Sequence, residues 1–202
     1  MRHTTLIAGT ILATLSGSSI ADMLTFESTG IIIDFSPGFD GADEFPFVGL
    51  DAGDSLFYHF EFESTATPIS MSANNALFEL DGAGSYAILG STVVNFERIR
   101  ISVGSSDGVI GGYFNIEGYV DSLGINAGIG MQGGAFLAPE LPSSIDVSQF
   151  NWARNAGADS DQNQILFPIV LGSVDTATLT PAPASSALLL AAAGFARRRR
   201  RA

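Results

Sequence analysis

Few side chains in this 202-residue chain are spaced to do chemistry, and the clearest set lies in one short stretch. His59, Glu61 and Glu63 alternate within Ser55-Leu-Phe-Tyr-His-Phe-Glu-Phe-Glu63. On an extended strand these residues share a face, with successive members about 6.6 Å apart. Two carboxylates so placed could serve glycoside hydrolysis, and a histidine among carboxylates could begin a metal site. Glycosidase carboxylates flank the bond they cleave, whereas these stand in one row, so the set reads equally as the solvated face of an amphipathic strand. A Ser-His-Asp triad would have to use His59, the one histidine beyond the N-terminal segment.

A second set is Asp159-Ser-Asp-Gln-Asn163. Asp159, Asp161 and Asn163 have the oxygen spacing that opens a Ca²⁺ loop, and they could hold the ion weakly. The EF-hand pattern then fails. Gln164 stands where the sharp turn needs glycine, and Val170 stands where the bidentate glutamate belongs. An Asp/Asn-rich turn accounts for the same residues. Trp152 and Tyr119 could stack on sugar rings, as aromatics do in carbohydrate-binding modules, or could fill a core. No catalytic residue and no firmly bound cofactor is assigned. The readings that remain are a structural or adhesive protein, a carbohydrate-binding module and, last, a glycan-active enzyme using Glu61 and Glu63.

Charge narrows the partners. All 21 acidic residues fall between Asp22 and Asp175, where Arg98, Arg100 and Arg154 are the only strong bases, a formal balance of −18. There is no lysine. Such a surface repels phosphate backbones and excludes nucleic acid as a partner. There is no cysteine either, which removes disulfides, thiolate metal sites and cysteine nucleophiles. The core alone must hold the fold, and fourteen of the fifteen phenylalanines lie in residues 22–180 to supply its bulk.

The elements that must position these residues read as strands broken by Gly, Asp, Ser and Pro. Expected strands cover 24–35, 55–63, 76–80, 86–89, 93–103, 109–120, 123–131, 145–152, 165–171 and 174–179. In the second, Tyr58, Phe60 and Phe62 point one way and His59, Glu61 and Glu63 the other. In Leu123–Met131 the alternate positions are Leu, Ile, Ala, Ile and Met, with glycines and Asn126 between them. Those small residues suggest close backbone contact. Between Val93 and Val103 the alternation flips once, the mark of a bulge. Asp40-Gly41, Asp81-Gly82 and Asp107-Gly108 signal turns. Segments 36–54 and 155–164 read as long loops. The expected fold is all-β, a single sandwich or jelly-roll-like domain over residues 22–180.

Both ends look like processing segments. Arg2 and His3 precede an apolar run from Leu6 to Leu15, and Ser19-Ile-Ala21 leads to Asp22. This is the layout of a secretory signal peptide over residues 1–21, cut between Ala21 and Asp22. At the other end, Pro181-Ala182-Pro183 and two serines lead into an apolar run that reaches Ala196. Arg197, Arg198, Arg199, Arg200 and Arg201 follow without interruption. A helix over residues 184–196 would be about 20 Å long, short of the ~30 Å hydrocarbon core. It suits transient insertion, with the arginines held on the cytoplasmic side.

Residues 181–202 resemble the sorting signal of bacterial PEP-CTERM proteins: a Pro-Glu-Pro-like motif, a short hydrophobic helix and a terminal arginine cluster. Ala182 replaces the glutamate, a variant of the motif. More weakly, Gly49-Leu-Asp-Ala-Gly-Asp-Ser55 and Leu141-Pro-Ser-Ser-Ile-Asp-Val-Ser-Gln-Phe150 resemble segments of the same class. The resemblance implies export, C-terminal processing by an exosortase-like membrane protease, and residence at the cell surface or in an exopolysaccharide-rich biofilm matrix. It carries over no catalytic residue.

Overall fold

The computed structural model describes residues 23–35, 49–106, 111–133, 138–150, 152–159 and 170–181. The signal-peptide junction, the loop 36–48, Asp161, Asn163 and everything after Pro181 lie outside them, as do both expected terminal helices.

Among the described residues, thirteen strands account for nearly all regular structure. They are β1 (Met23–Phe35), β2 (Ser55–Glu63), β3 (Ser70–Met71), β4 (Asn75–Asp81), β5 (Tyr86–Leu89), β6 (Thr92–Asn95) and β7 (Arg98–Ser106). β8 (Gly111–Val120), β9 (Ile125–Gln132), β10 (Ile145–Asp146), β11 (Trp152–Asp159), β12 (Val170–Ser173) and β13 (Thr176–Pro181) follow. All pairings are antiparallel, in the order β3-β4-β7-β8-β9-β11-β12-β1-β2-β5-β6, with β13 on β1 and β10 on β13. The all-β expectation holds, and the sheet is curled.

β1 is the pivot of the curl. Residues 24–29 lie between β2 and β13, and its far end pairs with β12 through a register shift between Ile32 and Asp34. A bulge increases local twist and lets one strand serve two directions of sheet. The curl brings strands that are not neighbours face to face. Phe26 of β1 meets Phe114 of β8 at 5.7 Å between ring centroids. Phe60 of β2 stacks on Phe96 at 5.3 Å with 5° between the planes.

The core follows from side-chain period two. In β2, Leu56, Tyr58, Phe60 and Phe62 are buried, while Phe57, His59 and Glu61 are half-buried on the other face. Ile99 and Ile101 of β7, Phe114 and Ile116 of β8, and Ile129 and Met131 of β9 fill the interior opposite them. Fully burying one such side chain contributes roughly 1.5–3 kcal/mol. Burial also pushes the Tyr58 phenol far above its ordinary range.

Three expectations are corrected. The parity flip near Phe96 is not a bulge in one strand: the chain leaves β6, which pairs with β5, and enters β7, between β4 and β8. Val94 and Phe96 therefore point inward beside one strand set, and Ile99 and Ile101 beside the other. The expected turn at Asp81-Gly82 is present, with the Ser85 N–H donating to the Gly82 carbonyl and the Ala83 N–H to Asp81 Oδ1, and it carries the chain from β4 to β5, which are not paired. Residues 145–152 are not one strand. Asp146 caps a 3₁₀ turn over Val147–Gln149, accepting from the Ser148 N–H, and Gln149 reaches back to the Asp146 N–H. That reciprocal capping outcompetes the ladder. Finally, Asn155–Asp159 is not loop but the body of β11, paired with β9, and over Asn155–Gly157 also with β12.

Candidate functional site

Three features on the outer surface are built around ionisable groups, and they adjoin one another. The first is on β2. His59 lies 3.0 Å through Nδ1 from Glu27 Oε1 of β1 and 3.2 Å through Nε2 from Glu61 Oε1. Its ring stacks on Tyr86 of β5 at 5.0 Å. The register explains the cluster, because Glu27, His59 and Tyr86 stand opposite one another on three neighbouring strands. The Glu61 N–H donates to Ser85 Oγ at 2.9 Å, and its carboxylate lies over Gly84. Gly84 has φ +84°, and an added Cβ there would sit 2.6 Å from Glu61 Oε2.

The second feature joins β4, β7 and β8. Arg98 donates through Nε and Nη2 to the two carboxylate oxygens of Asp121, at 3.1 and 2.7 Å. Its Nη1 and the Nη2 of Arg100 both reach Glu79 Oε2, at 3.0 and 3.1 Å. The Arg98 guanidinium lies 4.2 Å from the centroid of the Tyr119 ring, and Arg100 lies 5.3 Å from it. The Tyr119 hydroxyl donates to Glu117. Desolvation, with Glu117 beside it, pushes the Tyr119 phenol well up.

The hydrogen bond from Arg98 holds the Asp121 carboxyl below its ordinary range, and the Ser148 N–H does the same for Asp146. A depressed carboxyl contributes stability above its unfolded pKa, about 3.9, and loses it as pH falls through the folded value. The unfolding midpoint is therefore expected to drop below about pH 4, and Asp121→Asn to flatten part of that fall. The neutral-pH cost of Asp121→Asn should stay under about 1 kcal/mol, since the pair is exposed and salt-screened. Denaturant titrations between pH 7 and 2.5 measure both.

The third feature is a cleft of about 500 Å³ between these clusters. Glu61 and Glu63 of β2 form one wall; Glu79 and Asp81 of β4 form the other; Phe62 and Leu80 also line it. The volume falls within the usual range for ligand pockets. Glu61 and Glu79 are each held by a neighbouring base. Glu63 and Asp81 join no ion pair among the described residues. The field inside the cleft is therefore negative.

Placement of the sequence-selected residues is mixed. His59, Glu61 and Glu63 share one face as expected, and Glu79 and Asp81 are the carboxylates that sequence reasoning missed. The only signal for them was the same alternation, Glu79-Leu-Asp81, at the end of an apolar strand. Tyr119 is buried, with arginines against its ring, so it offers no platform for a sugar. Trp152 opens β11, and its side chain lies outside the description. Of the Ca²⁺ candidates only Asp159 falls in a described strand, and Asp161 and Asn163 do not. Among the described residues no group of three or more His, Asp or Glu side chains is placed to hold a metal ion.

A further motif missed in the sequence is Gly104-Ser-Ser-Asp-Gly108, which has the Gly-x-Ser-x-Gly spacing of a nucleophile elbow. That motif needs a strand-to-helix turn. Here the segment leads from β7 into its antiparallel partner β8, whose pairing resumes at Ser106 and Gly111. Of the sorting residues, only Pro181 is described. It ends β13, exposed, with Leu24 of β1 as its Cα partner. No described helix is long and apolar enough to cross a membrane. The chain matches no known protein-family model, no curated protein and no solved structure.

Proposed function

We propose that this chain is an exported, non-catalytic protein of the cell surface or extracellular matrix, processed at its C-terminus by an exosortase-like enzyme. The observation that carries the reading is the order of segments after the last strand: Pro181-Ala182-Pro183, a short apolar run, then Arg197–Arg201. The pairing of Leu24 with Pro181 supports it, because both terminal segments then join the domain at one rim. The acidic domain suits life outside the cell, where salt shortens the reach of its self-repulsion. In this reading the curled sheet is a two-layer sandwich, its layers joined by the Phe26–Phe114 contact. Polysaccharide is the matrix partner, and the half-buried rings of Phe57 and Tyr86 on the outer face, 6.0 Å apart, favour such a contact.

Intact mass of the protein recovered from each cell fraction tests this. The mature form should begin at Asp22 and end near Pro181–Pro183. Replacing Arg197–Arg201 with glutamine should leave an unprocessed species in the membrane fraction. A matrix-borne protein that keeps its arginines would end the proposal.

A further inference from the structure

The cleft has a property beyond its charge: its β4 wall is an open strand edge, and its β2 wall lies past the end of the β5 ladder. β3 covers β4 only at Ala76 and Leu77, and the Ile69 N–H closes that ladder on the Leu77 carbonyl. Backbone groups alternate sides along a strand. Those of Glu79 and Asp81 therefore point the same way as those of Leu77, past the end of β3. On β2, the β5 ladder stops at His59. The Gly90 N–H bonds the Ser55 carbonyl, which fixes the odd-numbered backbone groups of β2 on the β5 side. Beyond His59, Ser85 takes the Glu61 N–H and the Ala66 N–H takes the Glu63 carbonyl. Among the described residues no strand continues the ladder on either wall.

The cleft is thus a seam between β2 and β4, which face each other across it without being paired. A free edge invites an added strand, and proteins that keep one exposed normally guard it with charge. Here the charge is of one sign. Glu61, Glu63, Glu79 and Asp81 all line the seam, and two of them have no basic partner among the described residues. The same side chains that repel a second copy of this acidic domain attract a cationic strand. Main-chain pairing selects an extended peptide over a sugar chain, since a peptide presents donors and acceptors at the strand repeat.

We propose that this seam is a docking site for an extended, lysine- or arginine-bearing peptide of a partner protein, added as a strand against β4 and the end of β2. Basic side chains at alternate positions of the peptide meet the carboxylates, and its backbone meets Glu79 and Asp81.

The test uses the full chain and an acetylated, amidated octapeptide of alternating lysine and threonine. Calorimetry should show saturable one-to-one binding that weakens as salt rises. The E63Q/D81N double variant changes two exposed side chains and should bind about tenfold more weakly, with an unchanged unfolding midpoint. The same peptide with its main-chain nitrogens methylated along one edge, offered to the unaltered protein, should lose binding, because its charge is intact and its donors are gone. Equal binding of parent and methylated peptides would overturn the proposal. So would binding of a free-amine glucosamine oligomer in place of the peptide, which would make the seam a site for cationic glycans.

Discussion

Replacing Phe60 with alanine is expected to lower the unfolding free energy by about 3–5 kcal/mol. Phe60 is fully buried near the centre of β2. Its ring stacks on Phe96, lies parallel to Tyr58 at 6.1 Å and meets Phe26 of β1 at 6.2 Å. Few residues touch the curl from so many sides. Truncation removes the buried ring and leaves a cavity that the surrounding strands cannot readily collapse, because β2 is held by β1 along its whole length. A domain of this size has only about 5–15 kcal/mol to lose, and this chain has no disulfide to limit the damage. Guanidinium titration followed by circular dichroism measures the effect. A loss below 1 kcal/mol would mean that the ring is not packed between the two strand sets.

The second large effect is expected at Gly128 of β9. A Cβ built there would fall 2.1 Å from the Ile116 carbonyl oxygen and 2.7 Å from the Glu117 Cα. Both are backbone atoms of β8, the paired strand, and cannot swing aside as a side-chain tip would. Gly128 also stands opposite Ala156 of β11, so it has strands on both sides. Gly128→Ala should cost about 3 kcal/mol, at the upper end of overpacking penalties. Its backbone angle is one that any residue adopts, so the loss would be steric alone. Gly84→Ala is a useful contrast: the atom in the way is the end of the Glu61 side chain, but φ is positive. There the cost should be about 1 kcal/mol and come from the backbone. Thermal unfolding of the two variants side by side separates the mechanisms.

What the sequence revealed and what it hid divide along one physical line. Alternation within a strand is local, so the inward set Tyr58, Phe60 and Phe62 and the outward set His59, Glu61 and Glu63 were legible residue by residue. The glycine at 128 was legible too, as a sign that backbones come close. Pairing between distant strands is not local. A bulge and a change of partner strand leave the same mark, one parity flip, which is why the passage from Val94 to Ile99 read as a continuous strand. β11 read as loop because Asn155-Ala-Gly-Ala-Asp159 has little apolar bulk; between two strands, small residues let the backbones approach. The cleft was least legible of all. Glu61 and Glu63 are separated from Glu79 and Asp81 by the short strand β3 and its turns, and only the curl of the sheet brings them to opposite walls.

The position of Pro181 has a mechanical consequence. β13 is joined to β1 by six consecutive register pairs, and Pro181 stands at the last of them, opposite Leu24. A pull on the chain beyond Pro181, directed across the strands, does not load those pairs together. It reaches them in turn, Leu24–Pro181 first, then Thr25–Thr180, as a zip fastener opens from its free end. The buried Ala177 and Leu179 leave the core as the opening passes them. Pulled there across its strands, the domain is therefore weak, and it yields by losing β13 and its pairs with β10 while the ladders of β4, β7, β8 and β9 remain closed.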